Sequence, residues 1–115
     1  MAAAASAFLA APQGLLVPDL VVAELVYVLE SYYELPRERV GELARAVIGF
    51  PPVVVTDAEV LLRALEVYEL HRLDFAEAYL VAIAEASGVR AIASFDRAIR
   101  RVPWVGLVIP GVAEG

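Results

Sequence analysis

The stretch LLVPDLVVAELVYVL, residues 15–29, is the most informative about the fold because a strand-like run leads directly into a helix. Residues 15–17 are apolar without polar alternation, which is typical of a strand that is buried on both faces. Pro18 suits the first turn of a helix, and the apolar pattern after it predicts a helix that continues to about residue 33. A strand followed at once by a helix is the repeating unit of α/β proteins.

The same alternation continues to the end of the chain. Strands that alternate with helices favour an α/β fold with a mainly parallel sheet and right-handed crossovers. We therefore predict a single domain over residues 1–115, which is an ordinary length for one core. The further predicted strands are residues 53–55, 91–93 and 107–109, and the further predicted helices are 36–49, 57–71 and 74–88.

Composition excludes several classes of protein. The chain is 61% hydrophobic with a mean hydropathy of +0.70, yet it contains no run of ~20 apolar residues that would predict a membrane span. The opening MAAAASAFLAA resembles the apolar part of a signal peptide, but it lacks a basic segment before it, so we interpret it as a helix of the domain. Cysteine is absent, which excludes disulfides and thiolate sites and favours the cytoplasm.

A small domain this rich in apolar residues should carry exposed apolar helix surface, which marks an interface. We therefore predict a dimer or a larger species. The expected contributors are the N-terminal helix with Phe8 and Leu9, and the helix with Tyr27, Tyr32 and Tyr33.

Net charge bears on the substrate. The formal charge of −6 disfavours passive binding of nucleic acid through a broadly basic surface. Chemistry on a phosphate would therefore require a bound cation.

Four acids fall where such a cation could bind. Glu24 is the only polar residue in residues 20–29, Asp74 and Glu77 lie in the first turn of a predicted helix, and Asp96 follows a predicted strand. In a parallel α/β fold, helix N-termini and strand C-termini meet at one edge of the sheet. Clustered carboxylates repel one another unless they share a proton or a cation, and hard oxygen ligands favour Mg²⁺ or Mn²⁺.

Structural roles explain the same acids without a metal. Asp74 and Glu77 have the spacing of a reciprocal capping box, and Asp96 suits the N-cap of residues 97–101. Glu24 could pair with an arginine or reach solvent. Capping and metal ligation are compatible, so both interpretations stay open.

These acids lie in segments that resemble a known family. The segments VPDLVVAELVYVL, LDFAEAYLVAIAEASGVRAIASFDR and VPWVGLVI are similar to PIN-domain nucleases, particularly the VapC toxins of VapBC toxin–antitoxin pairs. The resemblance covers nearly the whole chain in the right order. It implies a three-layer α/β/α sandwich and Mg²⁺- or Mn²⁺-dependent endoribonuclease activity on RNA. It also implies a homodimer and neutralisation by a small VapB-like antitoxin.

The resemblance assigns roles to five residues. Glu24 matches the family's helix glutamate in AEL, and Asp74 matches the frequent first acid of the motif that reads DFAEA here. Glu77 stands where that motif normally has Asp. Asp96 in SFD matches the last acid, with Ser94 as its accompanying Ser/Thr. The implied metal ligands are the four acids, and Ser94 completes the implied catalytic set.

One departure concerns the start of the chain. Family members begin with a strand that reads V-D-[TS]-x-[VI]-L, whose Asp is a central ligand, and no such segment occurs here. We therefore expect a PIN-like domain that is N-terminally truncated relative to the family, with impaired activity. Two alternatives remain: a catalytically degenerate PIN-like module that acts through dimer and antitoxin contacts, and an unrelated α/β binding domain whose acids are caps and ion pairs.

Overall fold

The computed structural model describes residues 14–111. It divides into two compact units, Met1–Ala58 and Glu59–Gly115. The helix expected in MAAAASAFLAA, with Phe8 and Leu9, lies outside the described residues. Whether the two units form the single predicted domain stays a prediction.

The first unit consists of a parallel strand pair and two helices. Strand β1 (Leu15–Leu16) pairs with β2 (Val53–Val54), with Leu15 opposite Val53. Helices α1 (Asp19–Ser31) and α2 (Arg37–Ile48) lie between the strands in the chain and pack on each other. Each helix follows a proline, Pro18 or Pro36, with φ of −64° or −69°. The restricted φ of proline is compatible with helix entry, which explains why both helices begin there.

Periodic apolar residues give each of these helices a buried side. In α1 the buried residues are Val22 and Val26, and in α2 they include Val40 and Ala44. A separation of four residues places both members of each pair on one helical face. Burial of that face, rather than helix propensity alone, therefore stabilises the two helices.

The second unit contains two further helices and the second strand pair. It consists of α3 (Ala58–His71), whose first residue falls at the unit boundary, α4 (Phe75–Ser87), β3 (Ala91–Ala93), a 3₁₀ segment (Arg97–Arg101) and β4 (Gly106–Val108). β3 and β4 pair in parallel, with Ile92 opposite Leu107. Helix α4 ends at Gly88, whose φ of 71° is in the left-handed region that favours glycine. The tight end of α4 therefore leads the chain directly into β3.

Within residues 14–111, the predicted elements and their order are confirmed. All four predicted strands and four predicted helices form, with ends within two residues of the expected ones, and both strand pairs are parallel. The α/β class is therefore confirmed. The three-layer sandwich stays a prediction.

Two details of the predicted sheet are wrong for the described residues. Residues 14–111 contain two separate two-stranded ladders rather than one larger sheet. The strands are also not buried on both faces, since Leu16 is 63% exposed and Val54 is 52% exposed, and within β3 only Ile92 is buried. The reason is that successive side chains of a strand point to opposite faces. The side chains on both faces of these strands are apolar, but one face is more buried than the other. The apolar sequence therefore did not reveal which face is exposed.

Candidate functional site

The second unit brings Glu77 and Ser94 together. Phe75 and Ala78, 4% and 0% exposed, fix the first turn of α4 and leave Glu77 half-buried. Ser94 follows β3, and its backbone N–H donates to the carbonyl of Val108 at 3.0 Å, which extends the β3–β4 ladder by one residue. The Ser94 hydroxyl donates to Glu77 Oε2 at 3.1 Å. Helix α4 and strand β3 thus position one carboxylate between them.

The same hydroxyl also fixes the loop that carries Asp96. Ser94 Oγ accepts a hydrogen bond from the backbone N–H of Asp96 at 3.1 Å. Asp96 Oδ1 in turn accepts from the N–H of Ala98 at 2.8 Å. The predicted role of Asp96 as the N-cap of residues 97–101 is therefore confirmed. This cap engages Oδ1.

The predicted capping box of Asp74 and Glu77 is wrong. Asp74 occupies the N-cap position of α4, but its side chain makes no capping hydrogen bond. Glu77, the other half of the box, takes its hydrogen bond from Ser94 instead. The reason is that β3 presents a hydroxyl to α4, so Glu77 is bound across elements rather than within its own helix turn.

Electrostatics in this cluster disfavour the charge on Glu77. Burial raises the pKa of Glu77 above its usual value, the hydrogen bond from Ser94 opposes that shift, and the charges of Asp96 and Asp74 raise the pKa further. The two charged groups that act on Glu77 are thus both acidic. A cation beside these carboxylates would relieve the repulsion and stabilise the ionised form.

The donor chemistry fits a hard divalent cation. Glu77, Asp96 and Asp74 offer carboxylate oxygens, the ligands that Mg²⁺ and Mn²⁺ prefer. Within residues 14–111, no three acidic or histidine side chains already converge as a closed ligand set. The cluster is therefore an open group of donors that a cation would have to draw together.

Glu24 belongs to the first unit. It lies on α1 between the buried residues Val22 and Val26, and its side chain is exposed. Two residues along a helix correspond to about 200° of rotation, so Glu24 faces away from the buried side. The interpretation in which Glu24 reaches solvent agrees with this exposure. Its membership of a metal site with the acids of the second unit stays a prediction.

Sequence reasoning missed a second polar cluster in this unit. Arg63 Nε and Nη2 donate to the two carboxylate oxygens of Glu85 at 2.7 and 3.0 Å. The Trp104 indole N–H donates to Glu85 Oε2 at 2.7 Å, and the Arg63 guanidinium carbon lies 5.7 Å from the centre of the Trp104 ring. These residues are far apart in sequence, and no spacing rule links the three, so no local signal could have joined them. The cluster ties α3, α4 and the loop before β4 together.

Comparison with known proteins supports one family. The family model described as PIN domain matches residues 1–105, which include all five predicted site residues. The search of curated proteins and the search of solved structures each returned no match. PIN domains are generally metal-dependent nucleases. Because the match spans well over half of its length, this chain belongs to the PIN domain family.

Proposed function

We propose that this chain is a Mg²⁺- or Mn²⁺-dependent endoribonuclease, of the VapC-like toxin type, that cleaves phosphodiester bonds in RNA. The observation that carries the proposal is the position of Glu77. Its carboxylate is held by Ser94, partly buried, and raised in pKa by burial and by two neighbouring acids. Acidic groups whose pKa is shifted by burial and by neighbouring charges are common at functional sites. Membership of the PIN domain family is the reason for assigning nuclease chemistry to this cluster.

Each residue of the cluster has a distinct task in this proposal. Glu77, Asp96 and Asp74 would hold the cation, and Glu24 is proposed as a further ligand. Ser94 orients the Glu77 carboxylate and the backbone of Asp96 through one hydroxyl. A bound divalent ion would lower the pKa of a coordinated water and offset charge on the phosphodiester. The chain itself supplies orientation and negative charge.

The proposal is tested by cleavage of single-stranded RNA by the full chain in Mg²⁺ and in Mn²⁺. We expect EDTA to abolish cleavage, and Glu77→Gln and Asp96→Asn to lower it by at least about 10–100-fold, which is the usual loss for even an outer partner of a metal. Asn is as good an N-cap as Asp, so Asp96→Asn removes the charge and keeps the hydrogen bond to Ala98. Glu24→Gln, measured in parallel, reports whether Glu24 contributes.

Glu59→Gln is the matched control, because Glu59 is an exposed glutamate in the first turn of α3 and its change removes one charge from the same unit. Its cleavage rate should equal that of the wild type. Cleavage that persists in EDTA, or that Asp96→Asn and Glu77→Gln leave intact, contradicts the proposal. Absence of cleavage by the wild type would favour the degenerate binding module instead.

A VapB-like antitoxin is the proposed protein partner, and an apolar pocket in the first unit supports it. The pocket has a volume of about 410 Å³ between α1, α2 and β2. Its walls carry only apolar side chains, a surface suited to an apolar segment of a partner chain. Co-purification of the chain with a neighbouring small gene product, lost when Leu43→Asp places a charge in the wall, is the expected result. The lining residues are Leu25, Leu29, Leu43, Ala46, Val47, Phe50 and Val53.

A further inference from the structure

The 3₁₀ segment Arg97–Arg101 begins directly after Asp96 and is fixed to the second unit on one side. Ile99 is 0% exposed, and Val102, which follows the segment, is also 0% exposed. Arg101 Nη1 donates to the backbone carbonyl of Arg72 at 2.7 Å. A short helix anchored in this way holds the backbone of its exposed residues in a fixed position.

A different side of the segment carries Arg97 and Arg100, which are both exposed. A 3₁₀ helix has three residues per turn and rises ~2.0 Å per residue, so residues i and i+3 align about 6 Å apart. In the part of the chain that the structure describes, the arginines that form ion pairs include Arg39 and Arg63, whereas Arg97 and Arg100 form none. We call this pair of aligned residues, Arg97 and Arg100, the arginine ridge.

The arginine ridge is accessible to an anionic partner, and its position indicates which one. Arg97 directly follows Asp96, so the ridge places positive charge next to the acidic cluster. The chain as a whole has a net charge of −6, which makes this local positive charge distinct. Guanidinium groups bind phosphates by bidentate hydrogen bonds. The spacing of about 6 Å between residues 97 and 100 along the helix allows the two side chains to contact neighbouring phosphates of a single nucleic-acid strand.

We propose that the arginine ridge binds two successive phosphates of single-stranded RNA and so positions the strand for the Glu77–Asp96 cluster. This inference rests on the proposed ribonuclease function. The carboxylates of the cluster repel the phosphates of an RNA strand. Positively charged side chains next to the cluster offset this repulsion and increase the affinity for RNA. Arg97 and Arg100 are positioning residues in this account, and they take no part in bond cleavage.

The test is binding of a fluorescently labelled oligouridylate to the full chain in EDTA, measured by anisotropy over a range of salt concentrations. For single strands, each phosphate contact contributes a slope of about −0.7 to the dependence of log K on log salt. The double variant Arg97→Gln/Arg100→Gln should therefore lose a slope of about 1.4 and bind about twentyfold more weakly at 0.1 M salt. A purely structural role would not change the slope in this way.

Two further double variants make the result specific. Arg97→Lys/Arg100→Lys keeps both charges and should retain most of the slope, although lysine loses the bidentate geometry. Arg37→Gln/Arg39→Gln removes the same number of charges from the first turn of α2 and should leave the slope unchanged. Thermal melting of each variant shows that the fold is retained.

The proposal is overturned if Arg97→Gln/Arg100→Gln keeps the wild-type salt slope, or if the α2 control loses as much affinity. It is also overturned if polyglutamate of equal charge competes as well as unlabelled RNA, since the surface would then fit an acidic protein. The inference and the proposed function fail separately. Cleavage with an unchanged salt slope rejects the ridge alone, whereas ridge-dependent binding without metal-dependent cleavage rejects the nuclease proposal and retains the RNA site.

Discussion

At the scale of single residues, one hydroxyl organises the candidate site. Ser94 Oγ donates to Glu77 and accepts from the backbone of Asp96, both at 3.1 Å. A serine here therefore fixes the distance between a helix carboxylate and a strand-end loop. The longer side chain of Glu77, compared with the Asp usual in the family motif, lies within reach of that hydroxyl. Ser94 thus binds the glutamate that stands here in place of the expected aspartate.

The first prediction at this scale concerns Glu77→Gln. In EDTA near neutral pH, we expect thermal stability equal to or higher than that of the wild type. The variant removes a half-buried charge that Asp96 and Asp74 disfavour, and an amide oxygen can still accept the hydrogen bond of Ser94. In Mn²⁺, the stabilisation of the wild type by the ion should be lost in the variant, because binding to the folded state alone raises stability. Equal stabilisation of both proteins by Mn²⁺ would exclude Glu77 as a ligand.

At the scale of elements, the cluster of Arg63, Glu85 and Trp104 holds α3, α4 and the loop before β4 together. Arg63 also pairs with Glu66 one helical turn away. The two hydrogen bonds from Arg63 are the largest cause of the lowered pKa of Glu85, burial opposes them, and Trp104, together with the charges of Arg63 and His71, lowers the pKa further. The His71 ring lies 5.2 Å from the Trp104 ring. Ionised Glu85 therefore stabilises this arrangement.

The pH dependence of stability follows from the sign of that shift. A carboxyl whose folded pKa is lowered stabilises the protein above its unfolded pKa of ~4.3, and this contribution is lost as the pH falls through the folded value. Glu85→Gln should cost about 1 kcal/mol at pH 7, because the partly exposed pair is screened by solvent. The difference from the wild type should shrink below about pH 4. Urea denaturation at several pH values measures it, and a difference that stays constant down to pH 3 would contradict the assignment.

At the scale of the whole molecule, exposed apolar side chains on and just after α1 are the main unexplained surface. Leu20, Tyr27 and Tyr32 are 78%, 67% and 79% exposed, and Tyr33 is 61% exposed. Patches of large apolar residues on a small protein mark interaction surfaces. The tyrosines of the interface predicted from the sequence are thus exposed, and the interface itself stays a prediction. Phe8 and Leu9 lie outside the described residues.

We therefore expect a homodimer at micromolar concentration, with Tyr27→Glu/Tyr32→Glu shifting it towards the monomer. Light scattering coupled to size exclusion measures the mass directly. Glu69→Gln is a suitable control, since it changes one charge on α3 and none on the tyrosine surface. A wild type that elutes as a clean monomer would remove the basis for this interface and leave the tyrosines to another partner.

The sequence alone determined which segments are helices and strands, because those signals are local. Pro18 and Pro36 restrict the backbone at the two helix starts, Gly88 permits the left-handed end of α4, and Asp96 caps the residues that follow it. Parallel pairing followed from the alternation of elements. In each case the cause lies within a few residues of the effect, so the pattern is visible in the chain itself.

Which distant side chains meet could be learned from the folded protein alone. Glu77 is hydrogen-bonded to Ser94 rather than within the expected capping box. Arg63 and Trp104 both bind Glu85, so the cluster connects three elements. The exposure of each strand face likewise depends on which elements cover it. A run of apolar residues does not indicate this. The physical reason is that a hydrogen bond between elements depends on packing and register. These depend on the whole fold, whereas helix caps and turns depend on neighbouring residues.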